Sequence, residues 1–237
     1  MTAPAPADTR GTLSEPQVRA MFDRIARVYD LMNSVMTAGM HHRWRERAVD
    51  MSGVGPGDRA LDVATGTGDL AIALERRVGP AGEVIGSDFS EQMLELARRK
   101  SASIKFEWGN ALELPYDSDS FDAVTVGFGV RNFSDLPGGL AELARVTRPG
   151  GRVVVLEMTT PERPPLSWFF GIWFDRVVPM LGRIAGDPEA YSYLPSSVQR
   201  FPGPEALGGE LVAAGLEDVR WVLTAGGIIA IHSGRKP

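Results

Sequence analysis

Ala60-Leu61-Asp62-Val63-Ala64-Thr65-Gly66-Thr67-Gly68-Asp69-Leu70-Ala71 is the stretch on which the fold turns. Its first five residues form an apolar run of the length of a buried strand. Gly66-Thr67-Gly68 bends the chain, and a helical pattern from Asp69 to Arg77 follows. From Gly66 to Ala71 the spacing is G-x-G-x-x-G/A. Glycines so placed permit a tight turn and let a ligand approach the backbone at a helix N-terminus. Asp88 ends the next apolar run, about 20 residues on, where a ribose-binding carboxylate belongs.

The same alternation continues outward. Glu83–Asp88, Ile104–Trp108, Phe121–Val126 and Arg152–Glu157 read as further strands, and Ser90 caps a helix to about Arg99. Leu140, Leu143, Ala144 and Thr147 share a helical face that Pro149-Gly150-Gly151 is expected to end. Such alternation implies right-handed βαβ units and a mostly parallel sheet. Past Glu157 it stops, and residues 161–204 read as a helical, aromatic-rich insertion. After a helix from about Pro204 to Ala214, Val219–Leu223 and Ile228–His232 are separated only by Thr224–Gly227. They must pair as an antiparallel hairpin. The fold class is therefore α/β: a Rossmann-like, seven-stranded, mostly parallel sheet ending in that hairpin.

Upstream, Ser14-Glu15-Pro16-Gln17 has the form of a capping box, and Val18, Met21, Phe22, Ile25 and Ala26 follow at helical spacing. Residues 15–52 are expected to be helical. Residues 1–14 are expected to form a disordered tail without the basic and apolar regions of a signal peptide. Residues 15–237 are expected to form a single domain.

The 237 residues suffice for a sizeable core, and the net charge of −5 does not favour nucleic acid as a partner. There is no cysteine, so thiolate nucleophiles, thiolate metal sites and disulfides are excluded. His41, His42 and His232 have no metal-ligand spacing, so no metal is expected. No apolar run has transmembrane length.

Charge separates the two cofactors that the glycine loop could hold. Asp62 and Asp69 flank the place where the pyrophosphate of a dinucleotide would lie, and two carboxylates there would repel it. S-adenosylmethionine has no phosphate and carries an ammonium and a sulfonium, which acids favour. Asp69 also reads as the N-cap of the helix that follows. The terminal hairpin points the same way, because a plain dinucleotide fold ends in parallel βα units.

Four stretches carry a likeness: Tyr29-Asp30-Leu31-Met32-Asn33, Leu61 to Asp69, Gly109-Asn110-Ala111-Leu112-Glu113-Leu114-Pro115, and Arg145 to Arg152. The glycine loop is widely shared, and the first stretch, with Phe128-Gly129-Val130-Arg131-Asn132, is more particular. With Asp187 to Leu194, they make the chain from about Val18 to Gly234 resemble the demethylmenaquinone and ubiquinone-biosynthesis C-methyltransferases. The class I methyltransferase fold and S-adenosylmethionine, released as S-adenosylhomocysteine, are what this resemblance implies. It implies cofactor contacts at Thr67, Asp88, Asn110 and Ala111, beside Asp62, Gly66 and Gly68 of the loop. The family's serine two residues before Gly129 stands here as Gly127, leaving only a backbone contact. The implied acceptor is an isoprenoid quinol, with Tyr29, Asp30, Arg131 and Asn132 as the catalytic set.

A quinone ring carbon is electrophilic, whereas the quinol is electron-rich, so methylation needs the reduced ring and loss of a hydroxyl proton. Arg131 would remain protonated and favour the phenolate. His41 and His42 fall in the N-terminal helical section, where nothing in the spacing marks either as the base. Leu166 to Ile184, with Trp168, Phe170, Trp173, Phe174, Val177, Val178, Met180 and Leu181, reads as a buried helix, as a wall for the isoprenoid tail or as a membrane-touching face. The expected location is the cytoplasm, with peripheral contact at the inner face of the membrane. A benzoquinol, sterol or polyketide acceptor and a non-catalytic cofactor-binding regulator are the alternatives. No Asn/Asp-Pro-Pro-Tyr stretch of a DNA adenine methyltransferase follows the fourth strand.

Overall fold

β1 (Arg59–Val63) lies between β2 (Glu83–Asp88) and β4 (Phe121–Gly127), and is parallel to both. The computed structural model describes residues 13–161, 164, 166–173, 176 and 188–237. β3 (Lys105–Trp108) is added outside β2, and β5 (Thr147–Met158) outside β4, both parallel. β7 (Ile229–Arg235) runs antiparallel to β5, and β6 (Glu217–Thr224) antiparallel to β7. The described residues thus form a seven-stranded sheet in the order β3-β2-β1-β4-β5-β7-β6, with the expected terminal hairpin.

Alternate residues of β5 enter different cores, as the period of a strand requires. Val154 and Leu156 pack with Trp44 and Ala48 of α2 (His41–Ser52), Leu70 and Leu74 of α3 (Asp69–Val78), and Leu94 of α4 (Glu91–Lys100). Val153 and Val155 pack with Leu140 and Leu143 of α5 (Leu136–Val146). Helices therefore cover both faces, which is why the central strands read as nearly continuous apolar runs. A third cluster joins Val18, Met21 and Ile25 of α1 (Glu15–Thr37), Phe170 of α6 (Leu166–Ile172) and Val198 of α7 (Pro188–Arg200). Phe89, just after β2, and Met158, ending β5, pack against it. α8 (Pro204–Ala213) adds Leu207 and Leu211 to the second core.

Local signals explain where elements begin. Gln17 Oε1 accepts from Ser14 N at 2.8 Å to start α1. Ser90 Oγ accepts from Met93 N to start α4, and Asp135 accepts from Gly138 N to start α5.

Two boundaries differ from the sequence reading. Pro149-Gly150-Gly151 does not end the fifth helix: α5 stops at Val146, and β5 already begins at Thr147. Gly150 N donates to Lys236 O and Gly151 O accepts from Lys236 N, so these residues belong to the sheet. Asp69 is not the N-cap of α3. Gly68 holds that position at φ 84°, and a Cβ there would lie 2.8 Å from the Phe106 ring. Residues 1–12 of the expected tail, and Phe174, Val177, Val178, Met180, Leu181 and Asp187 of the insertion, lie outside the described residues.

Candidate active site

β1 and β4 are neighbours whose following helices cover opposite faces, so their carboxyl ends part to leave a crevice. Both strands leave the sheet through a non-glycine residue at positive φ, Ala64 at 51° and Phe128 at 61°. The two loops then pass so close that a Cβ on Gly129 would lie 2.5 Å from the Ala64 Cβ. Gly129 is thus required by packing, since its φ of −108° is open to any residue.

A cleft over these strand ends is bordered by Gly66, Asp88, Asn110, Ala111 and Gly127 of the expected cofactor set, and by Tyr29 and Asn132 of the expected catalytic set. Asp88 is the buried acid at its centre. Its Oδ2 accepts from Gly66 N at 2.8 Å and its Oδ1 from Ser90 N at 2.9 Å. Burial pushes its pKa up to about 6 against those hydrogen bonds. Among the described residues no cation pairs with it. It therefore retains acceptor capacity for a ligand with paired hydroxyls, such as a ribose, and the cleft fits an adenosyl group in this respect. Asn110 Oδ1 accepts from Leu112 N at 3.0 Å, and its amide donates to Glu15 at 2.9 Å.

The other loop residues take supporting positions. Asp62 lies beneath the loop, fully buried, accepting from Thr65 Oγ1 and Thr125 Oγ1 at 2.6 Å each. Thr67 Oγ1 donates to Asp30 at 2.6 Å, and Lys100 bridges Asp30 and Asp69 at 2.6 and 2.7 Å. Asp30 therefore faces the glycine loop rather than an acceptor. Asp69 is met by Arg45 at 3.3 Å as well, so cations offset one of the two charges that were to select the cofactor.

Asp62 yields a stability test. Burial raises its pKa to about 6, and the Thr125 and Thr65 hydroxyls hold it lower than burial alone would. A raised folded-state pKa contributes stability that is full below about 4 and lost as pH rises through about 6. Thr125→Val removes a donor from the ionised acid and raises that pKa further. We expect a loss of about 1.5–3 kcal/mol near pH 7.5 and a smaller one near pH 5, measured by urea unfolding. Equal losses at both would remove Asp62 as the cause.

Beside the cleft, and sharing Phe22, Tyr29 and Phe128 with it, is a cavity of about 340 Å³. Its wall is mainly apolar: Met21, Ile25, Met32, Met36, Met158 and Phe170. Arg131, Arg45, His41, Asn33 and Thr37, with the hydroxyls of Tyr29 and Tyr193, are the polar exceptions. Arg131 Nη1 meets Glu157 Oε1 at 2.7 Å and Phe128 O at 2.5 Å. The side chains of both members of this pair are buried, Arg131 at 8% exposure and Glu157 at 1%. Tyr193 O–H donates to Asn132 Oδ1 at 3.2 Å, closing the same corner.

Sequence reasoning missed three parts of this site: Glu157 as the partner of Arg131, Lys100 as the cation of the glycine loop, and α1 as the wall of both cavities. Glu157 had a signal, an acid at the end of the apolar run Val153-Val154-Val155-Leu156, and α1 had its apolar spacing, whereas Lys100 had none.

Among the described residues no cluster of three metal ligands occurs, and no helix is long and apolar enough to cross a membrane. Of solved structures, a [4+2]-cyclase, SpnF, superposes with a TM-score of 0.67 at 21% identity, covering 94% of this chain and 96% of that one. A possible histamine N-methyltransferase from Thermotoga maritima, a SAM-dependent methyltransferase, gives 0.65 at 20%, covering 92% and 99%. At such identities they speak for the Rossmann-like methyltransferase fold alone, and one fold hosts several chemistries. Sequence relatives are nearer. A demethylmenaquinone methyltransferase of Thermus thermophilus is 47% identical over 222 residues, 92% of this chain and 100% of that protein. One of Staphylococcus aureus is 42% identical over 227 residues, 94% of each. A family model described as the ubiE/COQ5 methyltransferase family matches residues 10–236, so the chain belongs to that family.

Proposed function

We propose that this chain transfers a methyl group from S-adenosylmethionine to a ring carbon of demethylmenaquinol, giving menaquinol. The observation that carries the reading is the pair of adjoining cavities. The smaller is built around an unpaired acid and an amide, and the larger is apolar enough for an isoprenoid chain. The names of the sequence relatives supply the acceptor.

S-adenosylmethionine, when bound, supplies a methyl group already activated by its sulfonium. The residues must then align, desolvate and polarise. Asp88 would accept from the ribose hydroxyls, Asn110 and the Ala111 backbone would hold the adenine edge, and Gly66 and Gly127 would offer backbone contacts. Thr67, Gly68 and Asp62 keep the loop in shape. Asp30 anchors α1 to that loop, so that Tyr29 stays between the two cavities. Arg131 and Asn132 orient the ring oxygens.

Single-turnover rates with reduced and oxidised acceptor test the function. Turnover is expected with the quinol and none with the quinone, since only the reduced ring pushes electron density onto the accepting carbon. Equal rates on both forms would sink this chemistry.

We also propose that the enzyme works from the cytoplasm at the inner face of the membrane, touching it through α6. Trp168 is 70% and Ile172 58% exposed, while Phe170 on the same helix is buried beside the cavity. An apolar rim next to an apolar chamber suits a substrate that resides in lipid. Trp168→Ser with Ile172→Ser is expected to reduce liposome flotation several-fold and to slow turnover on a long-tailed quinol more than on a short one. Undiminished flotation would leave these residues without a membrane role.

A further inference from the structure

The polar groups of the larger cavity differ in which hydrogen bonds they can make. Arg131 Nε and Arg45 Nη1 are buried and lack hydrogen-bond partners among the described residues. Guanidinium groups only donate. They can serve a ring oxygen whether it belongs to a hydroxyl or a carbonyl, so they do not distinguish the two redox states.

His41 is different. It opens α2, is buried and lines the same cavity. Its Nδ1 lies 2.7 Å from Thr37 Oγ1. That hydroxyl donates its one proton to the Asn33 carbonyl, also at 2.7 Å. Thr37 is then left to accept from His41, so Nδ1 carries the ring hydrogen and Nε2 is a bare lone pair. Burial first, then Arg45 and His42, push the ring's pKa down to about 4, against Asp69 and Asp30. The imidazole is neutral, and its tautomer is set by the end of α1.

We infer that His41 Nε2 is the acceptor that recognises a hydroxyl of the reduced ring and makes this site select quinol over quinone. A quinol hydroxyl donates to it, whereas a quinone oxygen presents a second lone pair and is repelled. The inference rests on the quinol reading given above. It makes His41 a specificity-determining residue and Thr37 the residue that positions it.

The test is anaerobic binding of a short-chain prenylated 1,4-naphthalenediol and of the matching 1,4-naphthoquinone, with S-adenosylhomocysteine present. Wild type is expected to prefer the diol by about tenfold or more, the scale of one buried hydrogen bond. In His41→Leu the ratio should fall toward one, chiefly through weaker diol binding, with S-adenosylhomocysteine affinity unchanged. His41→Gln keeps an acceptor and should restore part of the preference. Thr37→Val frees the tautomer and should lower the ratio with the imidazole still present. A His41→Leu protein that keeps the wild-type ratio overturns the inference and leaves the quinol reading intact. If His41→Leu does not fold, an undiminished ratio in Thr37→Val overturns it. Wild type that binds S-adenosylhomocysteine but neither ring overturns the quinol reading itself, and the inference with it.

Discussion

Replacing Arg131 with alanine is expected to destabilise the fold by about 3–5 kcal/mol, because it leaves a buried carboxylate without its cation. Glu157 sits at the end of β5 with 1% of its side chain exposed, and Arg131 meets it at 2.7 Å. Among the described residues, only Arg131 N, at 3.3 Å, and Met158 N, at 2.8 Å, would still donate to Glu157. The Phe128 carbonyl, held by the same guanidinium, would lose its partner as well, and with it the loop between the two cavities. Turnover of Arg131→Ala should therefore fall for two reasons, and stability must be separated from chemistry. Arg131→Met combined with Glu157→Gln removes both charges at similar volume and should recover most of the stability. If Arg131 orients the ring, turnover in that double variant should remain at least about a hundredfold down, the usual scale for a lost transition-state donor. Arg131→Lys should rescue incompletely: one ammonium could meet both Glu157 and Phe128, which Nη1 alone now holds, but it has no counterpart of the unpartnered Nε. Urea unfolding and single-turnover rates on the same preparations separate the terms. Wild-type turnover in the double variant would leave Arg131 a purely structural residue.

The Arg131–Glu157 pair also marks where sequence reading stopped. Arg131 was legible as a residue just past a strand's carboxyl end, but its charge was counted as free. Whether a guanidinium is free depends on what the neighbouring strand brings beside it, and Glu157 lies 26 residues further along the chain. The same holds for Asp30, whose partner Thr67 is 37 residues away. By contrast, Asp88 was legible because its place follows from a local rule, a strand end at fixed spacing from a glycine turn. The sheet was legible because strand and helix periods alternate, and the hairpin because four residues cannot make a parallel crossover. β5 was begun too late, since proline and glycines read as a helix stop when their backbone partner, Lys236, is distant in sequence. Helical spacing revealed that α1 has an apolar face, but not that the face would wall both cavities.

Asp88→Ala is expected to weaken S-adenosylmethionine binding by about a hundredfold or more, since each hydrogen bond to a carboxylate is worth about 1.5–3 kcal/mol and a ribose offers two hydroxyls. The alanine also frees Gly66 N and Ser90 N, which Asp88 now holds, so part of the loss comes from a loosened glycine loop. Asp88→Asn keeps an acceptor and is the cleaner comparison for pH. Burial sets the Asp88 pKa at about 6, above its usual value. Its contribution to the stability of the free protein is therefore full below about 4 and lost as pH rises through about 6. Ligand binding has the opposite sign, because the ribose hydroxyls need the ionised acceptor. S-adenosylhomocysteine should accordingly raise the melting temperature more near pH 7.5 than near pH 5, by linkage to binding. In Asp88→Asn that difference should disappear. Asp62 titrates in the same range and is itself raised by the Asp88 charge, so Asp88→Asn lowers its pKa as well, and Asp62→Asn is the control that separates the two. Calorimetry that finds wild-type affinity in Asp88→Ala would remove this acid from the site, and a pH dependence that persists in Asp88→Asn would assign it to another group.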